Sequence, residues 1–132
     1  MQMLRRAWID RTVFAAFAVR EVDGQSIDDA IADADEKLVC VFFWGIDCFN
    51  CDMAKKAMLA RPDPIQAFDL VWLHANVYAH PELGQRFGLH GIPVFMFFQN
   101  GKKLGRATGW HGPQFEAAVA NARLKAAGKP IA

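Results

Sequence analysis

Leu38-Val39-Cys40-Val41-Phe42-Phe43-Trp44 runs into Gly45-Ile46-Asp47 and then into Cys48-Phe49-Asn50-Cys51. The first seven residues are continuously apolar and rich in β-branched and aromatic side chains, which is how a strand buried on both faces reads. Gly45 stops that run. Residues 49–60 then have helical composition, with Met53, Ala54, Ala57, Met58 and Leu59 beside Lys55 and Lys56, until Pro62 and Pro64 end the helix. A buried strand passes into a helix, and two cysteines spaced C-x-x-C occupy the junction.

Upstream, residues 1–12 are polar and mixed and read as an N-terminal extension, with a first strand over 13–19. Residues 22–25 read as a turn. Ser26 is the expected helix N-cap, with Asp29 in capping-box position, and Ile27, Ala30, Ile31 and Ala34 follow at helical spacing until about 35–37. Downstream, residues 70–76 read as a third strand. Pro81 opens a short helix to Phe87, with Gly88 as its stop. Gly91-Ile92-Pro93 leads into a fourth strand over 94–98. Asn100-Gly101 is a strong hairpin signal, and 103–108 is the return strand at a sheet edge. Pro113 opens a last helix with Phe115, Ala118, Val119 and Ala122 on its apolar face. The order β-α-β-α-β-α-β-β-α predicts an α/β domain over 13–127, its mixed sheet covered on both faces, and a tail over 128–132.

A chain of 132 residues suits one domain and buries enough surface to fold without disulfide staples. A hydrophobic fraction of 53% against 22% charged excludes general disorder, and a net charge of +1 gives no support for a nucleic-acid partner. No apolar run reaches the ~18 residues of a membrane helix. Arg5 and Arg6 before Ala7-Trp8-Ile9 loosely suggest a secretion signal, but Asp10 and Arg11 interrupt it. The expected compartment is cytoplasmic, or periplasmic if a signal has been removed.

Three cysteines, an odd number, argue against a secreted disulfide scaffold. Cys40 lies mid-strand and reads as an inert buried thiol. Cys48 falls at the start of the helix, where free N–H groups and the macrodipole favour a thiolate. Cys51 lies three residues on, placed to resolve a mixed disulfide. Such a pair can be a redox switch, a structural disulfide or half a zinc site. His74, His80, His90 and His111 are scattered without zinc-site spacing and read as surface or loop residues. His90, next to Gly91, is kept as a minor functional candidate.

These residues together resemble the thioredoxin family over roughly residues 13–126. Trp44 lies four residues before Cys48, as the family's strand-end tryptophan does. Cys48 and Cys51 fall on the catalytic pair. Phe87-Gly88, Gly91-Ile92-Pro93, the strand with Asn100-Gly101, and Gly109 match further motifs. The resemblance implies a thioredoxin fold, a central mixed five-stranded sheet flanked by about four helices. It also implies a thiol–disulfide oxidoreductase, with Cys48 as nucleophile and Cys51 as resolving thiol. By the same resemblance the Ile92–Pro93 bond is cis beside the cysteines, and Trp44, Ile92 and Pro93 form the substrate site.

No metal or organic cofactor is implied. The implied partners are disulfide-containing proteins and an external reductant or reductase, with no nucleic acid, no membrane and a monomeric state. Asp47, Phe49 and Asn50 depart from the family pattern and are expected to modulate the pair. Asp47 and Asp52 set carboxylates around Cys48, which disfavours its thiolate. Phe42 stands where the family has a buried aspartate, and Lys56 where it has a helix-kinking proline. The missing carboxylate keeps open an adaptor or peptide-binding module with idle cysteines. A metal carrier ranks last. Ile92 before the proline and the absent signal favour a reductant.

Overall fold

A computed structural model describes residues 2–130. In chain order the elements are α1 (Gln2–Ala16), β1 (Arg20–Glu21), α2 (Ile27–Asp33), β2 (Val39–Trp44) and α3 (Phe49–Ala60). Then come α4 (Pro62–Gln66), β3 (Val71–Asn76), α5 (Pro81–Arg86), β4 (Val94–Gln99), β5 (Lys102–Thr108) and α6 (Gly112–Ala126). The five strands form one sheet in the order β1-β3-β2-β4-β5. Pairing is parallel across β1, β3 and β2, and antiparallel from β2 to β4 and from β4 to β5.

β2 is central and every one of its residues is buried, as its unbroken apolar run requires. Alternation sorts its side chains onto two core layers. Cys40, Phe42 and Trp44 face the layer with Val13, Cys51, Met58, Phe95 and Phe115; Val39, Val41 and Phe43 face the layer with Ile27, Ile31 and Leu83. The β4–β5 turn puts Asn100 and Gly101 at φ 51° and 77°, the pair of left-handed residues that a tight hairpin needs.

The N-terminal reading is corrected. Residues 13–19 do not form a strand: α1 runs through residue 16, and the first strand is only Arg20–Glu21. Ile9, Val13 and Phe17 are buried at four-residue spacing, a helical stripe that the mixed composition hid. Ala18 then adopts φ 51°, and Val19 N–H returns to Phe14 O. The expected boundary between residues 12 and 13 falls inside α1, which packs on α3. With α1 and α4 the described residues hold six helices, two more than the four expected. α4 forms because Pro62 sits at a first helical turn, where a missing N–H costs nothing.

The capping box is also corrected. Ser26 makes no side-chain cap; Asp23 Oδ1 instead accepts from Gln25 N, Ser26 N and Ser26 Oγ, and these bonds lower the Asp23 pKa. Residues 131 and 132 of the expected tail lie outside the described residues.

Candidate active site

β2 delivers the chain to the site and α3 fixes its geometry. After Trp44 the chain turns through Gly45, Ile46 and Asp47, the last at φ 61°. Cys48 is the N-cap of α3, extended at φ −98° and ψ 110°. Its Sγ accepts the Cys51 N–H at 3.1 Å, satisfying one of the free donors of the first turn. Its carbonyl accepts from Asp52 N at 3.0 Å and starts the helix. The two cysteines are paired as a disulfide with Cα atoms 5.2 Å apart. Cys48 is half-buried and Cys51 wholly buried. Only the Cys48 sulfur is therefore open to an incoming disulfide, and the helix terminus favours its thiolate by about 0.3–1 kcal/mol.

The Ile92–Pro93 bond is cis, and Ile92 O lies 3.9 Å from Cys48 Sγ. Pro93 is buried, and its carbonyl accepts from Gly109 N at 2.8 Å. Beside it runs an open groove of about 580 Å³, lined by Asn50, Met53, Ala57, Ile92, Trp110 and His111 among others. Asn50 thus lines the groove, while Phe49 points out at 73% exposure. Ile46, Met53 and Tyr78 are exposed too. A Cβ at Gly45 would stand 2.6 Å from the Tyr78 ring and 2.8 Å from Ile92 Cδ1, so only glycine lets these two close over the strand end. His90 is exposed and does not line the groove; His111 does. No site role was read for Met53, Tyr78, Trp110 or His111, because α3 and the loops at 78 and at 110–111 meet here only after folding.

Beneath the pair the expected roles change. Trp44 is buried at 7% exposure, so it supports the cysteines from below and offers no open surface to a substrate. Its Nε1–H donates to His74 Nδ1 at 3.1 Å. His74 is a core residue on β3, not a surface or loop histidine, and Phe14 stacks on its ring at 3.7 Å. Burial, and secondly the Lys55 charge, lower its pKa from 6.5 to about 4. Lys55 is fully buried on α3, its Nζ 2.6 Å from Asp10 Oδ1 and 3.5 Å from the Trp44 ring centroid. Phe42 fills the position of the family's carboxylate and stacks on Phe95 at 4.8 Å. Cys40 is wholly buried, which pushes its thiol pKa well up. Among the described residues no group of three His, Cys, Asp or Glu side chains is gathered to hold a metal ion, and no helix is long and apolar enough to cross a membrane.

A family model for a thioredoxin-like domain matches residues 26–123. The chain is 32% identical over 108 residues to glutaredoxin-3 of Mus musculus, covering 80% of this chain and 31% of that protein. It spans the same third, 31%, of glutaredoxin-3 from Bos taurus and Homo sapiens. It is 26% identical over 102 residues to thioredoxin of Sus scrofa, covering 76% of this chain and 95% of that one. Among solved structures, the short form of thioredoxin f from spinach chloroplast superposes with a TM-score of 0.67 at 21% identity, over 80% of this chain and 93% of that one. That likeness is one of fold.

Proposed function

The chain belongs to the thioredoxin-like family of thiol–disulfide oxidoreductases, and from this we propose that it reduces disulfides in protein substrates through Cys48 and Cys51. The Cys48 thiolate attacks one substrate sulfur, the substrate S–S bond breaks, and the departing thiolate takes a proton from water. Cys51 then attacks Cys48, releasing the second substrate thiolate and closing the Cys48–Cys51 disulfide. Two electrons pass from the dithiol to the substrate. An external dithiol reductant or reductase restores the pair.

The observation that carries this reading is the half-buried Cys48 sulfur at the N-terminus of α3, bonded by the Cys51 N–H and facing Ile92 O at 3.9 Å. An extended substrate segment can pair with the Ile92 backbone by strand-like bonds. The apolar surface of Ile46, Phe49, Met53 and Tyr78 supports a protein substrate over a small charged one. A cytoplasmic reductant role accords with the free thiol at Cys40.

Insulin reduction with dithiothreitol as electron source tests the activity. The wild-type protein should precipitate the insulin B chain well ahead of reductant alone, and Cys48→Ser should not. Equal lag times with and without protein would favour the peptide-binding alternative, which Phe42 in the carboxylate position motivates. The reduction potential of the pair then tests direction: a value near thioredoxin's −270 mV fits a reductant, one near −120 mV an oxidant.

A further inference from the structure

The missing carboxylate at Phe42 leaves open what favours ionisation of the buried resolving thiol. Cys51 is wholly enclosed, and burial in an apolar layer opposes its thiolate. One helical turn on lies Lys55, also without exposed surface. Residues four apart on a helix have Cβ atoms about 5–6 Å apart, and helical side chains lean toward the N-terminus. Lys55 therefore leans toward the turn that carries Cys51. Its Nζ is held over the Trp44 ring and tied to Asp10, a residue of α1 that lies outside the stretch matching the family model.

We propose that Lys55, anchored by Asp10, is a positioning residue that stabilises the Cys51 thiolate and so speeds resolution of the mixed disulfide. This rests on the redox reading of the pair. Lys55 touches no substrate and transfers no proton: the Cys51 proton goes to water before attack, a bond forms between the Cys51 and Cys48 sulfurs, and the substrate thiolate leaves with the electron pair of the broken bond. A positive charge near a thiol favours its thiolate and lowers its pKa, by about one to three units for close neighbours. Asp10 neutralises part of that charge, so the low end applies: about one unit, or tenfold in thiolate at neutral pH.

The other titratable groups of this layer do not confuse the measurement. His74 on β3 stays uncharged above about pH 5. Burial holds Cys40 on β2 protonated. Asp52 on α3 and Asp47 before it are present in wild type and variant alike. From β4 and α6 the layer receives Phe95, Phe97 and Phe115, which do not titrate.

Single-turnover reaction of the reduced protein with 5,5′-dithiobis(2-nitrobenzoate) reads both steps in colour. The first thionitrobenzoate is released by Cys48, the second by Cys51 resolving the adduct. Between pH 6 and 10, Lys55→Met should slow the second release about tenfold at pH 7 and raise its midpoint by about one unit. The first release should change by less, and Lys55→Arg should restore the midpoint. A merely structural role would lower stability and leave that midpoint where it is. If the variants do not fold, the wild type supplies the reciprocal measurement. The NMR shift of the Lys55 ε-carbon should inflect at the Cys51 midpoint, and Cys51→Ser should abolish that inflection. An unchanged midpoint in folded Lys55→Met, or an ε-carbon shift blind to Cys51, overturns the inference. Absence of any first release from wild type would instead remove the redox reading beneath it.

Discussion

Lowering the pH from 7.5 to 5 should cost the protein stability through His74. Its imidazole titrates near 4 in the fold, displaced from 6.5 first by burial and then by the Lys55 charge. The unfolded chain takes up this proton as pH falls through about 6.5, while the folded protein does not until about 4. Between those values the unfolded state binds more protons, so stability falls as pH falls. The contribution is intact above 6.5 and is lost progressively from there down to about 4. At pH 5 the bias is about thirtyfold, or about 2 kcal/mol. Screening by the water that reaches part of the ring reduces this to roughly 1–2 kcal/mol. His74→Asn isolates the effect, because asparagine removes the titration and keeps an acceptor for the Trp44 N–H. Urea unfolding of both oxidised proteins at each pH gives the comparison. Wild type should lose about 1–2 kcal/mol more than His74→Asn over the interval. All other groups are the same in the two proteins, so their contributions cancel in the comparison. Parallel losses would refute the claim that His74 is buried and neutral.

Alkylation of the reduced protein at pH 7 should label Cys48 well ahead of Cys51, since only Cys48 has an exposed sulfur; Cys51→Ser should accumulate mixed disulfides that peptide mapping finds on Cys48. Cys40→Ala should leave the insulin reduction rate within a small factor while lowering the urea stability by about 1 kcal/mol, because the thiol packs in the core and takes no part in exchange. Gly45→Ala should push the exposed Tyr78 ring outward, raising KM for insulin several-fold at a stability cost of about 1 kcal/mol or less; an unchanged KM would mean that Tyr78 does not contact substrate.

The parts of the fold legible in the sequence were those whose signals are local. β2 announces itself by seven apolar residues, α3 by composition and two prolines, and the hairpin by Asn100-Gly101. Each needs only its own few residues to be read. The helix α1 failed because its stripe is masked: Asp10, Arg11 and Thr12 separate Ile9 from Val13, while Val13 to Phe17 is an apolar run that reads as a strand, so the helical face shows only when α3 covers it. The same holds at the site. The cysteine pair is a motif, but Tyr78 and the neighbours Trp110 and His111 come from two separate loops, and no spacing rule joins these to the pair.

Lys55 is the instructive case, because its signal was present. On α3 the buried positions are Cys51, Ala54, Lys55 and Met58, a face that helical periodicity reserves for the core. A lysine there must find an anion or drag a charge into an apolar layer at a cost of several kcal/mol. Within α3 the nearby Asp52 is on the turn before it, only partly buried. Asp10, an acid beside Ile9 on the apolar stripe of α1, supplies such an anion from another segment. Reading residues 1–12 as an extension therefore hid the anion that this buried lysine calls for. Their pairing makes the N-terminal helix part of the domain that holds the cysteines. Loss of α1 should accordingly disturb the buried layer under the pair as well as the overall stability, because it would remove the Asp10 carboxylate from the enclosed Lys55.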